Sequence, residues 1–301
     1  MVSLTPDWKG LFGANCRRSF SASCGMDRDH VQKLFSLICS RADRFPLAQF
    51  IIKKPIILLM TLFFLKTYPT VHSMEQTFHL SHDTCAKYVD IGLDVLLHLL
   101  DPIDLNYRFN QTPVHGPAGI FEGVLLAVDG TVCEVERPGD NNLQHLYYNA
   151  HWKIHAVDYI VAVRIRDGFF CFISGPYLGS MNDLSCLYYS GLLHQLLVGE
   201  KIIADSGFVG LDPSQAVVPY KPSPHHPLSI PQITVNMVIN SPREIVDNAL
   251  HKLKIFDVLV DRFRGDISSH QRLFVVCCQI ANFLMPDSPV RARPDAPLLL
   301  N

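Results

Sequence analysis

Three aspartates stand at positions where a folded chain could do chemistry. Asp129 closes the run LLAVDGT, Asp205 closes EKIIADSGF, and Asp247 lies inside SPREIVDNALHKLK. Carboxylates at the C-terminal ends of buried strands point toward a shared crevice, where α/β sheets place their ligands. An aspartate ending a strand is also a common turn former. Two of them, each followed closely by glycine, carry more information together than either alone. Arg243, Asp247, Leu250 and Lys254 recur at i, i+4, i+7 and i+11, one stripe of a helix. That stripe is either a phosphate-contacting face beside an acid or a solvated charged face.

The elements must bring these residues together. The chain has 301 residues, 48% apolar and 18% charged, enough for one large domain or two modest ones with a sizeable core. Its net charge of −2 excludes a strongly basic chain that coats nucleic acid. The charge is uneven: +5 over residues 1–54, −4 over 55–125, −3 over 126–256 and zero beyond. An acidic middle suits a site that concentrates carboxylates, and the basic surplus sits on the N-terminal arm. The nine cysteines show no CxxC pair and no zinc spacing. They read as small buried hydrophobes of a reducing compartment. The run Ile56–Leu65, IILLMTLFFL, is too short to span a bilayer and reads as a buried helix. The start of the sequence lacks the apolar core of a signal peptide.

Residues 1–50 read as a flexible basic arm with a short helix at Asp29–Ser40. Residues 51–105 read as helical: one helix after Pro55, a short one over Thr70–Phe78, and a third over Asp83–Leu100 with Ser81 as N-cap. This is either a helix-turn-helix or a plain helical bundle. The proline-rich stretch Asp101–Glu122 marks a boundary. From Gly123 to residue 285 the pattern is mixed: a strand over Val124–Val128, a second extended segment through Val135, and a hairpin turning at Asp167-Gly168. A helix over Asp183–Leu197, a strand over Lys201–Ala204 and another at Val217–Tyr220 follow. Next come a helix over Ser241–Leu259, with Ser241 as N-cap and Pro242 in its first turn, and a last helix over Ser268–Met285. Residues 286–301 read as a mobile tail. The fold class expected is α/β (α+β), a mixed sheet with flanking helices behind an all-α region.

Five blocks in order then resemble the DDE superfamily endonuclease domain of PIF/Harbinger-type transposases. They are LAVDGT (Leu126–Thr131, with Arg137-Pro138 following), YYNAHWKIH (Tyr147–His155), SGPYLGSMND (Ser174–Asp183), ADSGFVG (Ala204–Gly210) and the helix bearing Arg243, Asp247 and Lys254. They cover roughly residues 124–283. The segment Leu58–Val89 resembles the helix-turn-helix that precedes such domains, which turns the balance toward that motif and puts Lys87 on its third helix.

The resemblance implies an RNase H-like fold in which Asp129, Asp205 and Asp247 form a catalytic, metal-holding triad. The third acid is usually glutamate, so Asp247 is a departure, as is Asn240 where tyrosine is frequent. Asp183 matches an acid of the pattern and is a secondary metal ligand or the N-cap of its helix. Arg243, Lys254, Lys153 and Lys87 are the implied DNA contacts, with His155 beside Lys153. The implied chemistry is phosphodiester hydrolysis assisted by two divalent cations. The lack of a His/Cys ligand cluster favours Mg²⁺ or Mn²⁺ over Zn²⁺. A nuclear location, DNA as substrate and a Myb-like DNA-binding partner protein follow from the same resemblance; no membrane association is expected, because the apolar run is too short. The alternative is a domesticated relative that keeps the fold and binds DNA or protein without cutting.

Overall fold

The computed structural model describes residues 16–111, 119–223, 227–288 and 290. It divides into two compact units. One runs to Pro102 and adds Lys254–Phe283; the other comprises Ile103–Leu253 and the residues from Leu284 on.

The first unit is helical. Helices α1 (Cys16–Cys24), α2 (Arg28–Arg41) and α3 (Ala48–Lys53) occupy most of the segment that reads as a flexible arm. The arm expectation fails for residues 16–50 because they bury an apolar set: Phe20, Cys24, Val31, Leu34, Phe35, Ile38 and Ile51 are at most 1% exposed. Residues 1–15 lie outside the described residues. Asp27 caps α2 by accepting from the His30 backbone N–H at 2.9 Å. The apolar run forms α4 (Ile56–Thr67), buried on most sides as its sequence requires. Tyr68 closes it in the left-handed region, and Thr70 caps α5 (Val71–Phe78) by accepting from the Ser73 N–H.

Helix α6 (His82–Leu99) packs on α4 and starts after Ser81. Gly92 permits the crossing: a Cβ there would come within 2.9 Å of Thr61 Cβ. The last helix, α10 (Ile267–Leu284), also belongs to this unit for most of its length. Its Arg272 pairs with Asp94 at 2.8 Å and with Asp90, both on α6. Among the described residues no helix is long and apolar enough to cross a membrane.

The second unit is a six-stranded mixed sheet with helices. Strands β1 (Val124–Glu134) and β3 (Ile154–Arg164) are antiparallel, and β4 (Phe170–Leu178) continues antiparallel on β3. The two-residue β2 (Tyr148–Asn149), which follows α7 (Asn141–Tyr147), pairs with the start of β3. After α8 (Asp183–Ser190) the chain returns as β5 (Lys201–Ala204), parallel to β1, and β6 (Ala216–Val217), parallel to β5. The order across the sheet is β4-β3-β1-β5-β6. The Val/Ile-rich centre of β3 is buried on both faces, as a central strand requires. Arg164 holds the expected β3–β4 turn through Asp167 at 2.6 and 2.9 Å.

Several boundaries depart from the sequence expectation; the helix expected to Leu259 ends at Leu253, and the strand expected at Val217–Tyr220 is Ala216–Val217. Val124–Val128 and the segment through Val135 are one strand, because Asp129 and Gly130 stay in the ladder opposite Val161 and Ile160. The helix expected over Asp183–Leu197 stops at Ser190, where Gly191 takes φ 71°. The long helix α9 spans Ile230–Leu253, with Pro242 in its interior rather than its first turn. Its start is fixed upstream by a capping box. The Ser229 hydroxyl oxygen faces the Gln232 N–H at 3.5 Å, and Gln232 Oε1 accepts from the Ser229 N–H at 2.9 Å.

Candidate active site

Strand register brings two of the acids side by side. Val128 of β1 pairs with Ala204 of β5 in parallel. Asp129 and Asp205 follow that pair directly, so the two acids stand at one level, Asp129 still within β1 and Asp205 just past the end of β5. Adjacent strands lie about 4.8 Å apart. Leu126, Val128, Ile202 and Ala204 pack in one cluster with Cys186 and Leu187 of α8. Side-chain alternation turns Asp129 to the opposite face, and α9, which carries Asp247, packs on β1, β3 and β5. Asp129 therefore lies in mid-strand, at the point where its parallel neighbour ends.

Asp205 caps a short 3₁₀ turn (Ser206–Phe208), its carboxylate accepting from the Gly207 N–H. Asp129 Oδ1 accepts from the Gly130 N–H at 2.8 Å. Asp183 is not the N-cap of α8. Asn182 takes that role by accepting from the Ser185 N–H at 2.8 Å, which leaves the Asp183 carboxylate to pack on Gly130. A Cβ on Gly207 would lie 3.2 Å from Asp205 Oδ1 and 3.9 Å from Asp183 Oδ2, so the two carboxylates flank this glycine.

The electrostatics follow from that crowding. Burial pushes the Asp129 carboxyl up to about 7; the Gly130 N–H opposes the shift, while Asp247, Asp183 and Asp205 add to it. Asp183 is raised by burial and by Asp205, against a lowering from nearby His151. Four carboxylates thus form one interacting group.

Residues 128–282 match the family described as DDE superfamily endonuclease, over half of the chain. The chain belongs to this family. No curated protein and no solved structure matches it. As a DDE superfamily endonuclease it carries a nuclease domain of transposase origin, and its sheet and flanking helices form the RNase H-like fold of that domain.

The other expected site residues are placed as follows. Arg243 Nη1 lies 3.3 Å from Asp247 Oδ2, so this cation is engaged with the third acid. Lys254 is exposed just past the end of α9. Lys153 is exposed at the turn into β3 with φ 58°, and His155 is half-buried on that strand. Lys87 is exposed on α6. His151, near Asp183, went unnoticed in the sequence; its place in YYNAHWKIH beside Lys153 was the signal. The cysteines read as structural: Cys24, Cys171 and Cys186 are buried and pushed up to about 12 by that burial.

The donor chemistry of the acid group fits a hard divalent cation, which takes oxygen ligands and keeps several waters. A half-buried carboxyl raised by desolvation and by three like neighbours also fits a place where a cation would lower the cost of ionising. The spacing is not that of a closed cage. Among the described residues no three His, Cys, Asp or Glu are gathered as a ready metal group. A cavity of about 470 Å³ lies elsewhere, in the helical unit, lined by Phe64, Tyr68, Met74, Val89, Phe263 and neighbours. Its largely apolar wall has none of the four acids.

Proposed function

We propose that this DDE superfamily endonuclease cuts DNA in a metal-dependent reaction and is of PIF/Harbinger type. The observation that carries the reading is Asp129, half-buried in mid-sheet and raised to about 7 by desolvation and by its neighbours Asp247, Asp183 and Asp205. Carboxylates crowded beside a strand end, one of them raised by desolvation and by its neighbours, are the kind of group that gathers at functional sites. Asp129, Asp205 and Asp247, with Asp183 behind them, would hold Mg²⁺ or Mn²⁺. The cations would activate water and stabilise the leaving oxygen of a phosphodiester. The chain's own part is positional. The Gly130 N–H fixes one oxygen of Asp129, the Gly207 N–H fixes Asp205, and Arg243 holds Asp247 on the helix face. Lys153 and Lys254 supply charge for the DNA backbone, and Arg243 can turn from Asp247 to a phosphate. Lys87 would contribute from the helix-turn-helix region.

The second reading is a binding module that keeps the fold without cutting. Two observations favour it: no three donors are gathered as a ready metal group among the described residues, and Asp247 is paired with Arg243. Calorimetric titration with Mn²⁺ separates the readings. Mn²⁺ uptake by the wild type that vanishes in Asp205→Ala supports the nuclease. DNA binding without metal uptake supports the module.

We propose that the protein works in the nucleus, where its DNA substrate lies, and beside a Myb-like DNA-binding partner, the latter because its net charge of −2 offers little affinity of its own for DNA. Tight binding of terminal DNA by the purified chain alone would contradict the need for a partner.

A further inference from the structure

The turn between β2 and β3 carries a large aromatic ring out into solvent. Trp152 is 60% exposed and Tyr148, two residues before the turn, is 41% exposed. An indole buries a large apolar area when it can, so one held in water needs a reason. This one is held. Asn149 is buried, and its side-chain oxygen accepts from the His151 and Trp152 backbone N–H groups at 3.1 Å each. The Lys153 N–H donates to the Asn149 carbonyl at 2.8 Å, and Lys153 closes the turn in the left-handed region. The Trp152 ring stands edge-on to His151, centroids 5.1 Å apart at 89°, and the Ser180 N–H donates to the Leu146 carbonyl at 3.1 Å, tying the segment that leads into this turn to the residues just before Asp183. Tyr148 meets His155 across the β2–β3 pair at 5.6 Å. The turn therefore presents the Trp152 ring with His151 against it and Lys153 next in the chain, with Tyr148 and His155 paired at its base, on the segment tied to the residues before Asp183.

We propose that Trp152 is a stacking platform for an unpaired base of the DNA, next to the phosphate that the carboxylates address. The proposal rests on the nuclease reading and deepens it by naming the substrate form. A base inside a duplex has both faces covered by its neighbours, so an aromatic side chain can stack only on an unpaired or extruded one. Aromatic faces ringed by cations are the usual means of holding such strands. The substrate is then DNA with an unpaired or readily extruded nucleotide at the cleavage position, as an overhang or an underwound duplex supplies, and a short relaxed blunt duplex is a poor ligand for this turn.

The test uses the full chain carrying Trp8→Phe, which leaves Trp152 as its only tryptophan. A duplex with a short single-stranded end and a blunt duplex of the same sequence are titrated in Ca²⁺, with indole emission and affinity both read. The overhang duplex should quench Trp152 and the blunt duplex should not. Trp152→Ala should weaken overhang binding about 5- to 150-fold, and blunt binding by less than about twofold, because blunt binding rests on the backbone charge alone. Trp152→Phe should retain most of the overhang affinity. Equal binding of both DNAs by Trp152→Ala and its parent, equal quenching by both DNAs, or no overhang binding at all would overturn the proposal. Trp152→Phe and the quenching of the parent decide the matter even if Trp152→Ala misfolds. Failure of the nuclease reading registers separately, as cleavage that ignores Asp129, and leaves these binding results to stand on their own.

Discussion

The Asp183 carboxylate rests on the backbone of Gly130, so closely that a Cβ at Gly130 would lie 2.9 Å from Asp183 Cγ and nearer still to Oδ1. Gly130 follows Asp129 directly, so this contact sets one acid against another. Gly130→Ala should force Asp183 away. Overpacking of this kind costs about 1–3 kcal/mol, read as a lower midpoint in urea unfolding. Adding Asp183→Ala should relieve most of that cost, a coupling of about 0.5–3 kcal/mol in the double-mutant cycle. Strict additivity would show that the two residues do not touch in solution.

The raised Asp129 carboxyl makes a pH prediction. Its folded value of about 7 exceeds its ordinary 3.8, so the folded chain keeps a proton that the unfolded chain releases. This group's stabilising effect is complete below about pH 4, falls as the pH rises toward 7, and is absent above. At about 1.4 kcal/mol per unit, reduced for the partial exposure of the side chain, the loss is about 2–4 kcal/mol. Asp129→Asn should therefore raise the Tm in chelator at pH 8 by roughly 4–10 °C, with little gain at pH 4. Equal changes at both pH values would contradict the burial and crowding assigned to this carboxyl.

Much of this arrangement was legible in the residues. KIIA followed by Asp205 read correctly as a strand with an acid at its end. LLAVDGT identified Asp129 but suggested a strand end, because Asp-Gly is a turn signal; the ladder to β3 carries the chain straight through it. Asn182 and Asp183 are equally good N-caps by type, and only the fold, by setting Gly130 beside the second, decides which one caps. The start of α9 was present as Ser229–Gln232, but Ser241-Pro242 offered a competing start that packing did not use. The burial of residues 16–50 depends on partners far along the chain and leaves only a weak periodic trace.

Arg108 and Glu200 form a buried pair, 4% and 8% exposed, at 3.2 Å. Glu200 also accepts from the Leu197 N–H at 2.7 Å, just before the strand that delivers Asp205. Arg108→Ala strands a buried carboxylate and should cost about 3–5 kcal/mol in chemical denaturation. A change below about 1 kcal/mol would mean the pair is hydrated and does not anchor β5.

Asp247 is the shorter acid of the group and is held by Arg243 at 3.3 Å. Asp247→Asn should reduce Mn²⁺-dependent nicking about 10- to 100-fold, whereas Asp247→Glu should preserve or raise it by reaching one methylene further. If Asp247→Asn nicks as the wild type does, Asp247 is no part of the site and Arg243–Asp247 is a surface ion pair.

The central claim is that the carboxylates around Asp129 cut DNA with a divalent cation. Nicking of supercoiled plasmid by the full chain and by Asp129→Ala, each with Mn²⁺, with Mg²⁺ and with chelator, tests it most directly. The account predicts nicking by the wild type that needs the metal and falls to background in Asp129→Ala. Equal cleavage by the two proteins, or none by either, would contradict it.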